Sequence, residues 1–159
     1  MTMKATLLAG ALLIGAAVAS DAQAQSWTQT GMLTCRLNPS IGFIIAGHQS
    51  MECRFVPQPP QPPQNYEGAL NTVGIDIGIV GGGGMAWAVL APSSGVAAGA
   101  LSGTYVGASG DVAVGLGVGA NVLVGGSGRT FALQPVSVEG SVALQASLGV
   151  SALQLRWVP

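Results

Sequence analysis

The sequence predicts an all-β domain: a single antiparallel β-sandwich or barrel-like fold with glycine-rich strands, following a cleaved signal peptide. Three observations carry that expectation. Several segments alternate apolar and polar residues with a period of two, as half-buried strands do. Beyond the N-terminal leader no segment sustains a helical period. Glycine, 25 residues of the chain, clusters between runs of β-branched residues, as turns between short strands do.

Residues 1–24 read as the signal peptide. Lys4 supplies the positive charge, TLLAGALLIGAAVA the apolar run, and Ala22-Gln23-Ala24 the small-x-small cleavage site. The apolar run is shorter than the roughly 20 residues that cross a bilayer. No cysteine stands at the cleavage point, which disfavours a lipoprotein. Residues 25–159 suit one β-domain with one core.

That domain has no lysine. Its charges are Arg36, Arg54, Arg129 and Arg156 against Glu52, Glu67, Asp76, Asp111 and Glu139. Without a basic cluster, no nucleic-acid partner is expected. The chain is also too apolar, at 49% hydrophobic residues and 7% charged, to remain disordered.

The elements follow in order. In WTQTGMLTCRL, Trp27, Leu33, Cys35 and Leu37 share one face, while Thr28, Thr30, Thr34 and Arg36 share the other. Ile41 to Gly47, IGFIIAG, reads as a short buried strand that ends in a loop at His48. QSMECRFV then alternates again, with Met51, Cys53 and Phe55 opposite Glu52 and Arg54. PQPPQPPQ, residues 57–64, reads as an extended, stiff polyproline-type connection, because proline fixes φ and lacks a donor. Further strands are expected near 66–80, 84–91, 100–108, 111–124, 129–139 and 142–157. VGGGGMAWAVLAP and VGGSGRTFALQP share a layout, which is read as two similar glycine turns rather than a duplication.

VAVGLGVGANVLVGG places Gly115, Gly117 and Gly119 on alternate positions. With a tight hairpin at Ser109-Gly110-Asp111, Tyr105 faces Leu116, Val106 faces Gly115 and Thr104 faces Gly117. The glycines then form one bare strand face, a slot for a ring or another sheet; the rings available are Trp27, Trp87, Phe131 and Trp157. The same glycines match GxGxxA, but a dinucleotide fingerprint needs a helix to follow, and NVLVGG is strand-like. They also contain GxxxG, yet a helix carrying so many glycines costs about 1 kcal/mol at each.

Catalytic chemistry is not expected. His48 is the only histidine, and it reads as a polar loop residue. Glu67, Asp76 and Asp111 show no spacing that pairs them as acid and base. Asp76, set in GIDIG among apolar neighbours, calls for a partner such as an arginine, in a structural role. No metal or cofactor site is expected, since zinc wants about four ligands.

Cys35 and Cys53 are expected to form a disulfide, the default for paired cysteines in an exported chain; a metal site and a reactive thiol are the minor alternatives. If they lie opposite each other in an antiparallel pair, Arg36 lies opposite Glu52 on the other face as a cross-strand ion pair.

The blocks GMLTC, GFIIAG, MECRF, Tyr66-Glu67-Gly68, GIDIG, AWAVLAP, ALSGTYVGAS, GVGANVLVGG and LQPVSVEG, in that order, resemble a family of small exported alphaproteobacterial proteins, domain of unknown function 992. The resemblance covers Gly31 to about Leu155, and GVGANVLVGG is its most specific block. It implies export, and it implies that Cys35 and Cys53 belong to the family pattern. Because the family has no assigned activity, the resemblance brings no catalytic residues. Pro57 to Pro63 looks like a local elaboration.

The function expected is a periplasmic or secreted β-domain with a structural or binding role and possible envelope or outer-membrane association, its partner unnamed. The alternative is a small outer-membrane β-barrel, favoured by the alternating SALQLRW ending. An enzyme comes last.

Overall fold

The computed structural model describes residues 26–39, 44–76, 83–108, 121–138 and 150–159. Its strands are β1 (Thr28–Leu37), β2 (Ile44–Pro57), β3 (Gln64–Asp76), β4 (Gly84–Ala91), β5 (Gly103–Gly107), β6 (Leu123–Gly125), β7 (Phe131–Val138) and β8 (Val150–Val158). They close into an antiparallel barrel in the order β1-β2-β3-β8-β5-β6-β7-β4, with β4 returning to β1. The fold is therefore all-β and a barrel, the second of the two architectures expected.

The order has an internal logic. β4 lies beside β1, so the first four strands run 4-1-2-3 in space, and β8 lies beside β5, so the last four repeat that order. Each half is thus a Greek key, and β3–β8 and β4–β7 pairing joins the halves. The GGxG echo relates β4 to β7, which this two-part topology does not equate. That agrees with reading it as similar turn chemistry.

An eight-stranded barrel is just wide enough for side chains to fill its interior. Inward residues of the strands do so, among them Leu33, Cys35 and Leu37 from β1, Met51, Cys53 and Phe55 from β2, Trp87 and Val89 from β4, Leu153 and Leu155 from β8. Thr34, Arg36, Glu52, Arg54 and Glu67, between them, are exposed. The two faces of the sheet therefore follow the alternation in the sequence. One bulge, at Thr30, interrupts β1 against β4. There the buried Thr30 hydroxyl donates to Val89 O (3.2 Å).

One barrel end is closed by the connection between β4 and β5, whose Val96 and Leu101 are buried in the core. Three of the hydrogen bonds that hold this connection join it to β3, β8 and β5. Gly99 N–H donates to Gln64 Oε1 (3.2 Å), Trp157 N–H to Ser102 Oγ (3.0 Å), and the Tyr105 hydroxyl to Leu101 O (2.9 Å).

Three expectations are corrected. Ile41–Gly47 and Gln49–Val56 are not two strands: from Ile44 the chain is one continuous strand, β2, and His48 sits inside it opposite Asn71 rather than in a loop. Gly47 breaks the sequence pattern without breaking the ladder, because Thr72 of β3 pairs with it; the register shifts only before it, between Ile44 and Ala46. Residues 58–63 are not a stiff linker but the connection of a hairpin, with Phe55 opposite Gln64. Gln58 turns that connection back onto β1, its N–H donating to Thr30 O (2.8 Å) and its Nε2 to Gln29 O (2.8 Å).

Tyr105 faces Gly125, not Leu116, and Val106 faces Val124, not Gly115. The close approach of the β5 backbone at Gly125, and of the Tyr105 ring at Gly126, is compatible with that register only because both positions lack a side chain. A Cβ on Gly125 would run into Thr104 O and come within 2.7 Å of Tyr105 Cα, and one on Gly126 would come within 2.6 Å of the Tyr105 hydroxyl. The alternating Gly115, Gly117 and Gly119, the Ser109-Gly110-Asp111 turn and the leader lie outside the described residues.

Candidate functional site

The disulfide is the inner anchor of the site. Cys35 on β1 and Cys53 on β2 are directly opposite in the ladder and bonded, with Cα atoms 4.0 Å apart. Both point into the core. Gly68 on β3 makes room beside them: a Cβ there would sit 2.6 Å from Met51 Cγ and 3.2 Å from Cys53 Sγ.

The register that joins the cysteines places Arg36 opposite Glu52 on the outer face. The row continues, with Glu52 opposite Glu67 on β3 and Glu67 opposite Arg156 on β8. The ion pair that forms is Arg156 with Glu67; Arg36 and Glu52 make none among the described residues. The charge order explains this. Glu67 has an arginine on one side and a carboxylate on the other, so it turns toward Arg156. Arg36 and Glu52, both exposed, gain little in water from closing a surface pair.

One pleat repeat along, Thr34, Arg54, Asn65 and Val158 form a second outer row. Apart from Arg156, the residues of the two rows line a groove of about 650 Å³. A smaller hollow of about 450 Å³ adjoins it, between Glu67 and Arg156 on one side and Gly103 and Thr104 on the other. Apart from Arg129, every arginine and glutamate with a described side chain borders this face.

Behind the groove lies a buried polar network. The Tyr66 hydroxyl donates to Gln64 Oε1 (2.6 Å), the same oxygen that receives Gly99 N–H. Burial raises the Tyr66 pKa, and hydrogen bonding to the Leu101 and Gly99 backbone partly opposes the shift. Burial, with a smaller contribution from Tyr66, raises Tyr105 much further. Both phenols therefore stay protonated and serve as fixed donors.

Sequence reading named Cys35, Cys53, Arg36 and Glu52 but not Arg54, Arg156 or the Gln64–Tyr66 network. The missing signal was long-range: β3 and β8 are neighbours only because the barrel closes. Of the carboxylates considered for catalysis, Glu67 lies on the outer face, Asp76 ends β3 opposite Ile44, and Asp111 lies outside the described residues. Among the described residues, no three His, Cys, Asp or Glu side chains converge as a metal site would require. The ring slots foreseen for glycine exist at other positions. Gly99, at φ 78°, holds Trp157 3.2 Å from where a Cβ would stand, and a Cβ on Gly126 would approach Phe131 within 2.8 Å.

No curated protein and no solved structure matches this chain. Residues 13–156 match the model of a family described as a protein of unknown function, DUF992. With nearly the whole chain so matched, the protein belongs to the DUF992 family.

Proposed function

We propose that this chain is an exported, water-soluble barrel domain of the cell envelope, with a structural or binding role carried by its outer surface. The observation that carries this reading is the polarity of the wall made by β1, β2, β3 and β8. Apolar side chains fill the interior, and Thr34, Arg36, Glu52, Arg54, Glu67 and Arg156 face outward. A transmembrane barrel has the reverse arrangement, with an apolar band toward lipid and a polar lumen. Among the described residues the interior is filled by apolar side chains, and on the surface the charged groove and the adjoining hollow bring several polar groups within reach of a partner. A disulfide in the core suits an oxidising compartment, in keeping with the leader read at residues 1–24.

Fractionation of the native host tests the proposal. The protein is expected in the soluble periplasmic or secreted fraction without detergent, beginning at Gln25 and oxidised at Cys35 and Cys53. A protein that stays with the membranes until detergent is added would overturn it.

A further inference from the structure

The charged face of β1, β2, β3 and β8 is complementary to itself. Its two outer rows read Arg36, Glu52, Glu67, Arg156 and Thr34, Arg54, Asn65, Val158. Between them runs the inward row that contains Cys35, Cys53 and Tyr66. Arg36, Glu52 and Arg54 have no ion-pair or hydrogen-bond partner among the described residues. Three charges in one groove are thus open to a partner.

Their signs argue against a simple anion as that partner, because Glu52 neighbours both open guanidiniums, opposite Arg36 in the ladder and two residues before Arg54 on β2. We infer that the occupant is a second copy of this chain, docked face to face about a two-fold axis that follows the Cys35–Cys53–Tyr66 row. Such a rotation lays each strand over its own copy and reverses its direction. A residue one step before the axis then meets the residue one step after it. Glu52 faces the partner's Arg54, and Arg54 faces the partner's Glu52. Glu67 meets the partner's Asn65, Arg36 the partner's Thr34, and the stem of Arg156 the partner's Val158.

No like charges oppose each other in this arrangement. A two-fold axis parallel to the strands fails on that count, since it sets Arg36 against the partner's Arg156 and Glu52 against the partner's Glu67. The interface is isologous, as closed dimers require. It also covers Val56 and Val158, which are 48% and 36% exposed on the same face. An interface built on charge steers orientation more than it adds affinity, and it weakens as salt screens it.

The test is sedimentation of the purified protein in detergent-free buffer at low and at high salt. A dimer is expected at low salt, dissociating as salt rises. Glu52→Arg alone and Arg54→Glu alone each place like charges opposite one another twice, and each should weaken association by about tenfold or more. The double exchange restores opposite signs at both positions and should restore the dimer. A parent that is monomeric at low salt, single variants that dimerise as the parent does, or folded double variants that stay monomeric would each overturn the inference. The inference needs an outer face in water, as the reading above does. The two failures remain distinct: a protein that dissolves only in detergent refutes that reading, and a detergent-free monomer refutes the dimer alone.

Discussion

At the scale of single residues, glycine does two different jobs in this chain, and space decides which. Gly125 faces Tyr105 across β5–β6, and a Cβ there meets the β5 backbone at Thr104 and Tyr105. Gly107, two pairs along the ladder on an exposed stretch of β5, has nothing within 4 Å of the same construction. Gly125→Val should therefore destabilise the fold by about 1–3 kcal/mol or more through overpacking. Gly107→Val should be neutral or stabilise by up to about 1 kcal/mol through strand propensity and a less flexible unfolded chain. Denaturant melts of the two variants check the contrast, and equal effects at both sites would contradict it. The principle was legible in the sequence: a glycine inside a strand marks a close approach. Its location was not, because the groups that need the space, the β5 backbone at Thr104 and Tyr105 and the Tyr105 ring, find their glycines some twenty positions away, at Gly125 and Gly126 respectively.

At the scale of elements, local pattern was reliable and pairing was not. β4 spans Gly84–Ala91, the span expected for an apolar run that follows a glycine cluster. β1 begins and ends within a residue of the expected limits. Where a glycine or proline interrupts the pattern, as at Gly47 or Pro57, the sequence suggests a break or a linker that the neighbouring strand overrides. The β1–β2 register is the exception, because two cysteines pin it: Cys35↔Cys53 carries Arg36↔Glu52 with it. The bond closes a loop with a sequence separation of 18, so reducing it should cost about 3 kcal/mol in the chain-entropy model. A urea melt of the reduced and alkylated protein should show that loss as a lower midpoint. An unchanged midpoint would mean that the bond contributes nothing to the hold of β1 on β2.

At the scale of the whole molecule, the class was legible and the closure was not. Alternation tells how many residues face inward, but it cannot tell whether two sheets stack or one sheet curls round. Here closure depends on β4 reaching β7 and β8 reaching both β3 and β5, contacts between distant parts of the chain. The same closure assembles the charged face from β1, β2, β3 and β8, which is why Arg156 could not be foreseen beside Glu67. Closure also has a direct signature. In an open antiparallel sheet, an edge strand bonds its neighbour through alternate residues only, and the amides between them face solvent. A closed barrel has no edge, so amides pointing either way along β4 and β8 find a carbonyl. Hydrogen exchange followed residue by residue by NMR therefore tests the central claim most directly. The barrel predicts slow exchange at consecutive amides through the middle of β4 and of β8, whereas fast exchange at every second amide of either strand would show an open edge and contradict it.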